Sequence, residues 1–85
     1  MGTKNPSQTH TSTGGTNFQV VYNKNSNSFK HYGISATMRE DPQDCSIIEN
    51  LFFTDAEAEA YCRWLAENDV YPVTLCDVLA NVYVL

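Results

Sequence analysis

The spacing of apolar positions along this chain changes period at Thr54, and that change divides a sheet-forming part from a helix-forming part. Before it, FQVVYN (18–23) gathers β-branched and aromatic residues suited to a pleated surface, and the Asn- and Ser-rich stretch that follows supplies turn formers. Phe29 to Met38 predicts a second strand, because Tyr32, Ile34, Ala36 and Met38 alternate with His31, Gly33, Ser35 and Thr37. The first set is expected to face the core. REDPQD interrupts with charge and Pro42, and CSIIENLFF resumes strand character through Ile47, Ile48, Leu51 and Phe52. Three antiparallel strands in meander order follow.

From Thr54 the pattern is helical. Thr54 and Glu57 form a T-x-x-E capping box, and Phe53 and Ala58 occupy the two positions of a hydrophobic staple. Ala58, Tyr61, Cys62 and Leu65 recur at i, i+3, i+4 and i+7, a single inward stripe, while Glu57, Glu59, Arg63 and Glu67 decorate the other side. Glu59 and Arg63 stand at the i, i+4 spacing of a surface ion pair. ENDV ends this helix with poor helix formers, and Pro72 suits the first turn of a second one. Leu75, Val78, Leu79 and Val82 repeat the apolar spacing, with Thr74 and Asp77 as a second cap pair. The β-branched residues of ANVYVL leave a strand from Val82 to Leu85 as the alternative to a helix end, and the helix is preferred. The architecture expected is α+β: a three-stranded antiparallel β-meander followed by two helices packed on one face, in the order βββαα.

Residues 1–17 carry no apolar side chain after Met1, so nothing there offsets the entropy of ordering, and a flexible tail is expected. Residues 18–85 then make a single small domain. Within that domain HYGI (31–34), the T-D-x-E helix start and the series Val70, Pro72, Leu75, Asp77, Val78, Leu79 resemble a family of short proteins of unknown function from clostridia and related Gram-positive bacteria. The likeness covers roughly residues 18 to 80 and departs at Ala80 and Asn81, where the family tends to continue with acidic residues. It implies a bacterial source and a compact fold, and no catalytic residue transfers with it.

Charge narrows the partners. Ten acidic and five basic residues give a net charge of −5, which repels nucleic-acid phosphates and favours basic partners. There is no apolar run long enough for a membrane span and no secretory signal pattern, so a cytoplasmic protein is expected, without membrane or nucleic acid as partner. Exposed edge strands leave both a monomer and a weak dimer open.

Candidate chemistry is sparse. Cys45, Cys62 and Cys76 are an odd number, separated by 17 and 14 residues rather than by the short gaps of a zinc site. With His31 they form the only conceivable ligand set, and neither metal nor cofactor is expected. Cys62 belongs to the apolar stripe, whereas Cys76, near the start of the second helix, is the better candidate for a reactive thiol. Glu40, Asp41 and Asp44 cluster on a turn but lack the glycine and ligand spacing of a calcium loop. Gly33, inside a strand, marks a bulge, a close approach or room for a ligand, with packing the favoured cause. Trp64, at the margin of the stripe, either covers the core's edge or anchors a partner. The leading expectation is a non-enzymatic protein-interaction or regulatory module, with Trp64, Tyr71, Glu59 and Glu67 as the contact surface for a basic protein. The alternatives are a thiol or metal site built on Cys76, Cys62, Cys45 and His31, and an acidic decoy that mimics nucleic acid.

Overall fold

A computed structural model describes residues 9–25, 27 and 29–82. The elements are β1 (His10–Thr11), β2 (Thr16–Tyr22), β3 (Tyr32–Met38), β4 (Cys45–Phe52), α1 (Asp55–Glu67), a 3₁₀ turn (Pro72–Thr74) and α2 (Leu75–Val82). The fold is α+β, with a four-stranded antiparallel sheet in the order β1-β2-β3-β4 and two helices.

Register explains which side chains are inside. Phe18 pairs with Ala36 and Ala36 with Ser46; Val20 pairs with Ile34 and Ile34 with Ile48; Tyr22 pairs with Tyr32 and Tyr32 with Phe52. Alternate residues of a strand share a face, so these rows all project to the same side. There they meet Ala58, Cys62 and Leu65 of α1 and Leu75 and Leu79 of α2 in one buried cluster. The expected core face of β3 is present, with Ile34 and Ala36 fully buried and Tyr32 and Met38 half-buried. The opposite face carries Asn17, Gln19, Ser35, Thr37, Cys45 and Ile47, an almost uncharged surface of small polar side chains.

Three expectations are corrected. The sheet has four strands, not three, because His10 and Thr11 pair with Phe18 and Asn17 inside the stretch read as a tail. β1 buries little apolar surface and is held by polar contacts instead: Ser12 N donates to Thr16 O at 2.9 Å, and Thr16 N donates to Ser12 Oγ at 3.0 Å. Composition alone therefore hides it; residues 1–8 of the expected tail lie outside the described residues, as do 83–85 of the ambiguous C-terminal segment. β3 begins at Tyr32, which leaves Phe29 and Lys30 in the preceding loop. Thr74 does not cap α2, because it lies in the 3₁₀ turn and its hydroxyl donates to the Tyr71 carbonyl at 3.1 Å.

Both ends of α1 follow from local chemistry. Thr54, extended at φ −131°, accepts a hydrogen bond from Glu57 N at 3.2 Å, as the capping box requires. Phe53, expected as a staple, is more than half exposed, and Lys30 Nζ stands 5.3 Å from its ring centroid. At the other end Asn68 donates from its backbone and its side chain to Trp64 O, and Asp69 takes the left-handed conformation at φ 54°. That turn lets Val70 N reach Leu65 O at 3.1 Å and sends Val70 and Pro72 back into the core.

Gly33 sits where β4 bulges. Between the Ile34–Ile48 and Tyr32–Phe52 pairs one residue of β3 faces three of β4, and Asn50 takes φ 59° to complete the detour. A Cβ on Gly33 would overlap the Ile48 carbonyl oxygen and stand 2.8 Å from the Glu49 Cα, so the glycine serves close approach of a strand backbone. Gly33→Ala is accordingly expected to lower stability by about 1–3 kcal/mol in urea denaturation, the range for overpacking a filled site. An unchanged midpoint would mean that β4 moves aside freely.

Candidate functional site

The outer surface of α1 carries Trp64 and Glu67, two of the four predicted contact residues. At about 100° per residue, Glu57, Ala60, Trp64 and Glu67 fall within about 80° of one another, on the side away from the Ala58–Cys62–Leu65 stripe. Ala60, Trp64 and Glu67 are exposed, Glu57 is half-buried, and 38% of Trp64 reaches solvent. Phe53, 55% exposed, stands just before the first turn of the helix. The result is an aromatic and acidic strip with an aromatic residue near each end.

Glu59 and Tyr71 are tied to β1 and the turn that follows it. Glu59 Oε2 lies 2.7 Å from His10 Nε2, a contact that joins α1 to β1 across the edge of the sheet. Tyr71 packs its ring against Gly14, where a Cβ would stand 2.8 Å from Tyr71 Cζ and 2.9 Å from Asp69 Oδ1. Gly14 N also donates to Asp69 Oδ1 at 2.7 Å, so the left-handed residue that ends α1 grips the β1–β2 turn. Between these two clasps runs an open groove of about 420 Å³, lined by Thr9, His10, Thr11, Thr13, Arg63, Ala66 and Glu67. Glu67 thus borders both the groove and the strip, while Glu59 and Tyr71 spend much of their surface on intramolecular contacts.

The structure adds aromatic residues that periodicity did not single out. Tyr22, 60% exposed, lies 5.1 Å from the Tyr32 ring and 5.7 Å from that of His31. Phe29 is 85% exposed in the adjoining loop. Behind them Phe52 stacks on Tyr61 of α1 at 5.1 Å. The signal available in the sequence was density: Tyr22, Phe29, His31, Tyr32, Phe52 and Phe53 all gather where β2, β3 and β4 end on the same side.

The thiol and histidine residues do not converge. Cys45 is exposed at the start of β4, Cys76 is exposed on α2, and Cys62 is buried under α1. His31 Nδ1 is engaged 2.9 Å from the Asn23 carbonyl. Among the described residues no three His, Cys, Asp or Glu side chains stand close enough to hold a metal ion. Asp41 shapes its own turn, accepting from Gln43 N at 3.3 Å through its carboxylate and from Asp44 N at 2.8 Å through its carbonyl. No protein-family model, curated protein or solved structure matches the chain, so a functional reading rests on the residues themselves.

Burial first, and the Glu59 carboxylate second, push the Cys62 thiol from an ordinary 9.0 up to about 12. A thiol so placed is protonated and inert at neutral pH. Two thiols should react promptly with a thiol reagent in the native protein, and the third only on unfolding; three fast thiols would contradict the packing. The folded value lies above the unfolded one, so this contribution to stability is complete below pH about 9 and fades as the pH rises toward about 12, by at most about 4 kcal/mol. The stability difference between wild type and Cys62→Ala should therefore shrink with rising pH above about 9. A constant difference would mean that the thiol is not desolvated.

Proposed function

We propose that this chain is a non-enzymatic interaction module that binds a basic protein through the outer surface of α1. The observation that supports it is the strip of Phe53, Glu57, Ala60, Trp64 and Glu67, in which exposed aromatic rings alternate with carboxylates. Aromatic side chains carry a disproportionate share of binding energy at protein interfaces, and acidic neighbours steer and select a basic partner. Tyr71 and Glu59 extend the surface past the groove while holding β1 in place. Among the described residues no helix is long and apolar enough to cross a membrane. The resemblance to the clostridial family adds a bacterial setting to this reading.

The decoy alternative draws no support from the placement of charge. A nucleic-acid mimic needs carboxylates along one continuous face, but Glu40, Asp41 and Asp44 sit on the β3–β4 turn, at the end of the sheet opposite the start of α1. Thiol chemistry is equally unsupported at Cys62, whose buried thiol stays protonated at neutral pH.

The test is affinity capture from a lysate of the source, with wild type and two variants that circular dichroism shows to be folded. Trp64→Ala should reduce capture of a basic partner about tenfold or more, an anchor-sized effect. Glu57→Lys combined with Glu67→Lys should abolish the sensitivity of capture to salt between about 0.05 and 0.3 M. Equal capture by wild type and both variants would sink the assignment of this surface.

A further inference from the structure

The two edges of the sheet are not alike. One is the two-residue β1, clasped to α1; the other is the eight-residue β4, against whose outer side no strand pairs among the described residues. Met38 N donates to Asp44 O at 2.9 Å, so Asp44 turns its backbone groups toward β3. Along an antiparallel strand this direction alternates, which assigns Ser46 and Ile48 to β3 and leaves the N–H and C=O of Cys45 and Ile47 pointing outward. The Asn23 N to His31 O bond gives the same phase to the neighbouring pair, with Ile34 and Ala36 turned toward β4.

Natural sheets guard such an edge with lysine, proline or a bulge. Here the bulge at Glu49–Leu51 closes only the second half, and from Cys45 to Ile48 there is no guard. Ile47 is 58% exposed on the open face. Charge along the segment that carries this half is of one sign: residues 40–53 contain Glu40, Asp41, Asp44 and Glu49 and no lysine or arginine. Arg39, the nearest cation in sequence, bonds through its backbone N to Gly15 O on the β2 side.

We propose that the outer edge of β4 from Cys45 to Ile48 takes an extended, basic segment of a partner as a fifth strand. Backbone hydrogen bonds to Cys45 and Ile47 set the register, and lysine or arginine flanking the paired residues meets Asp44 at one end and Glu49 at the other. A second copy of this chain is a poorer occupant, because antiparallel self-pairing centred on Ile47 would set Asp44 opposite Asn50 and Glu49 opposite Cys45, which brings no cation to either carboxylate. The site is separate from the strip on α1 and does not depend on it.

The probes are two peptides, Lys-Thr-Val-Thr-Val-Thr-Lys and the same sequence with glutamate at both ends. The lysine peptide should bind at least about tenfold more tightly, with an affinity that falls as salt rises. Its addition should slow exchange of the Cys45 and Ile47 amides about tenfold or more and leave the already paired Ser46 and Ile48 amides little changed. Ile47→Pro removes only an outward N–H and should abolish binding, whereas Ile47→Thr should retain it. Equal binding of the two peptides, no binding of either, or protection at another strand would overturn the proposal. So would self-association of the wild type that Ile47→Pro reverses, since the edge would then belong to a second copy. The exchange measurement needs no variant, so the outcome stands even if the proline protein fails to fold.

Discussion

Phe52 is where the sheet is joined to the helices. Its backbone is the last of β4, paired with Tyr32, and its fully buried ring stacks on Tyr61, nearly two turns into α1. Three residues later the helix begins, so the chain must pass from a period of two to a period of 3.6 without turning an apolar side chain outward. The bulge makes this passage. By inserting residues between the Ile48 and Phe52 pairs, it allows Leu51 and Phe52, adjacent in sequence, both to be buried. Gly33 is the counterpart on β3, because only a residue without a Cβ lets the detour lie flat.

Much of this was legible in the sequence wherever side chains decide the structure. The stripe of Ala58, Cys62 and Leu65 is buried as its spacing implies, and Thr54 caps as the T-x-x-E pattern implies, since both depend on residues a turn apart. β1 was not legible, because its pairing depends on backbone groups and its clasps on partners distant in sequence. The signal was present in the Thr-rich stretches on either side of Gly14 and Gly15, a hairpin pattern that low apolar content obscured. Thr74 was misread for a related reason: Pro72 starts a tighter turn before α2, and the hydroxyl finds a carbonyl three residues back. For the candidate surface, helical spacing sufficed to set Trp64 and Glu67 on one side of α1. It did not reveal that Glu59 is engaged by His10 or that Tyr71 is packed on a glycine.

Cys62 illustrates how burial and reactivity oppose one another. It is fully buried, as Ala58 and Leu65 are, and Glu59 acts on it as well, so the anion is doubly disfavoured. Burial does most to keep this thiol silent, and Glu59, the carboxylate that also holds His10, adds to it. Cys45 and Cys76 are exposed and escape that environment.

The clasps on β1 bear on the order in which the protein assembles. His10 meets Glu59 across 49 positions of chain, and Gly14 meets Asp69 across 55. β2, β3 and β4 can pair through turns of a few residues and form early, since short loops close at small entropic cost. The clasps exist only after α1 has docked and Asp69 has taken its left-handed turn. The first strand in the chain can pair with β2 early through its own short turn, yet it is anchored to the helical layer only once α1 has docked, so its two attachments belong to different stages of assembly.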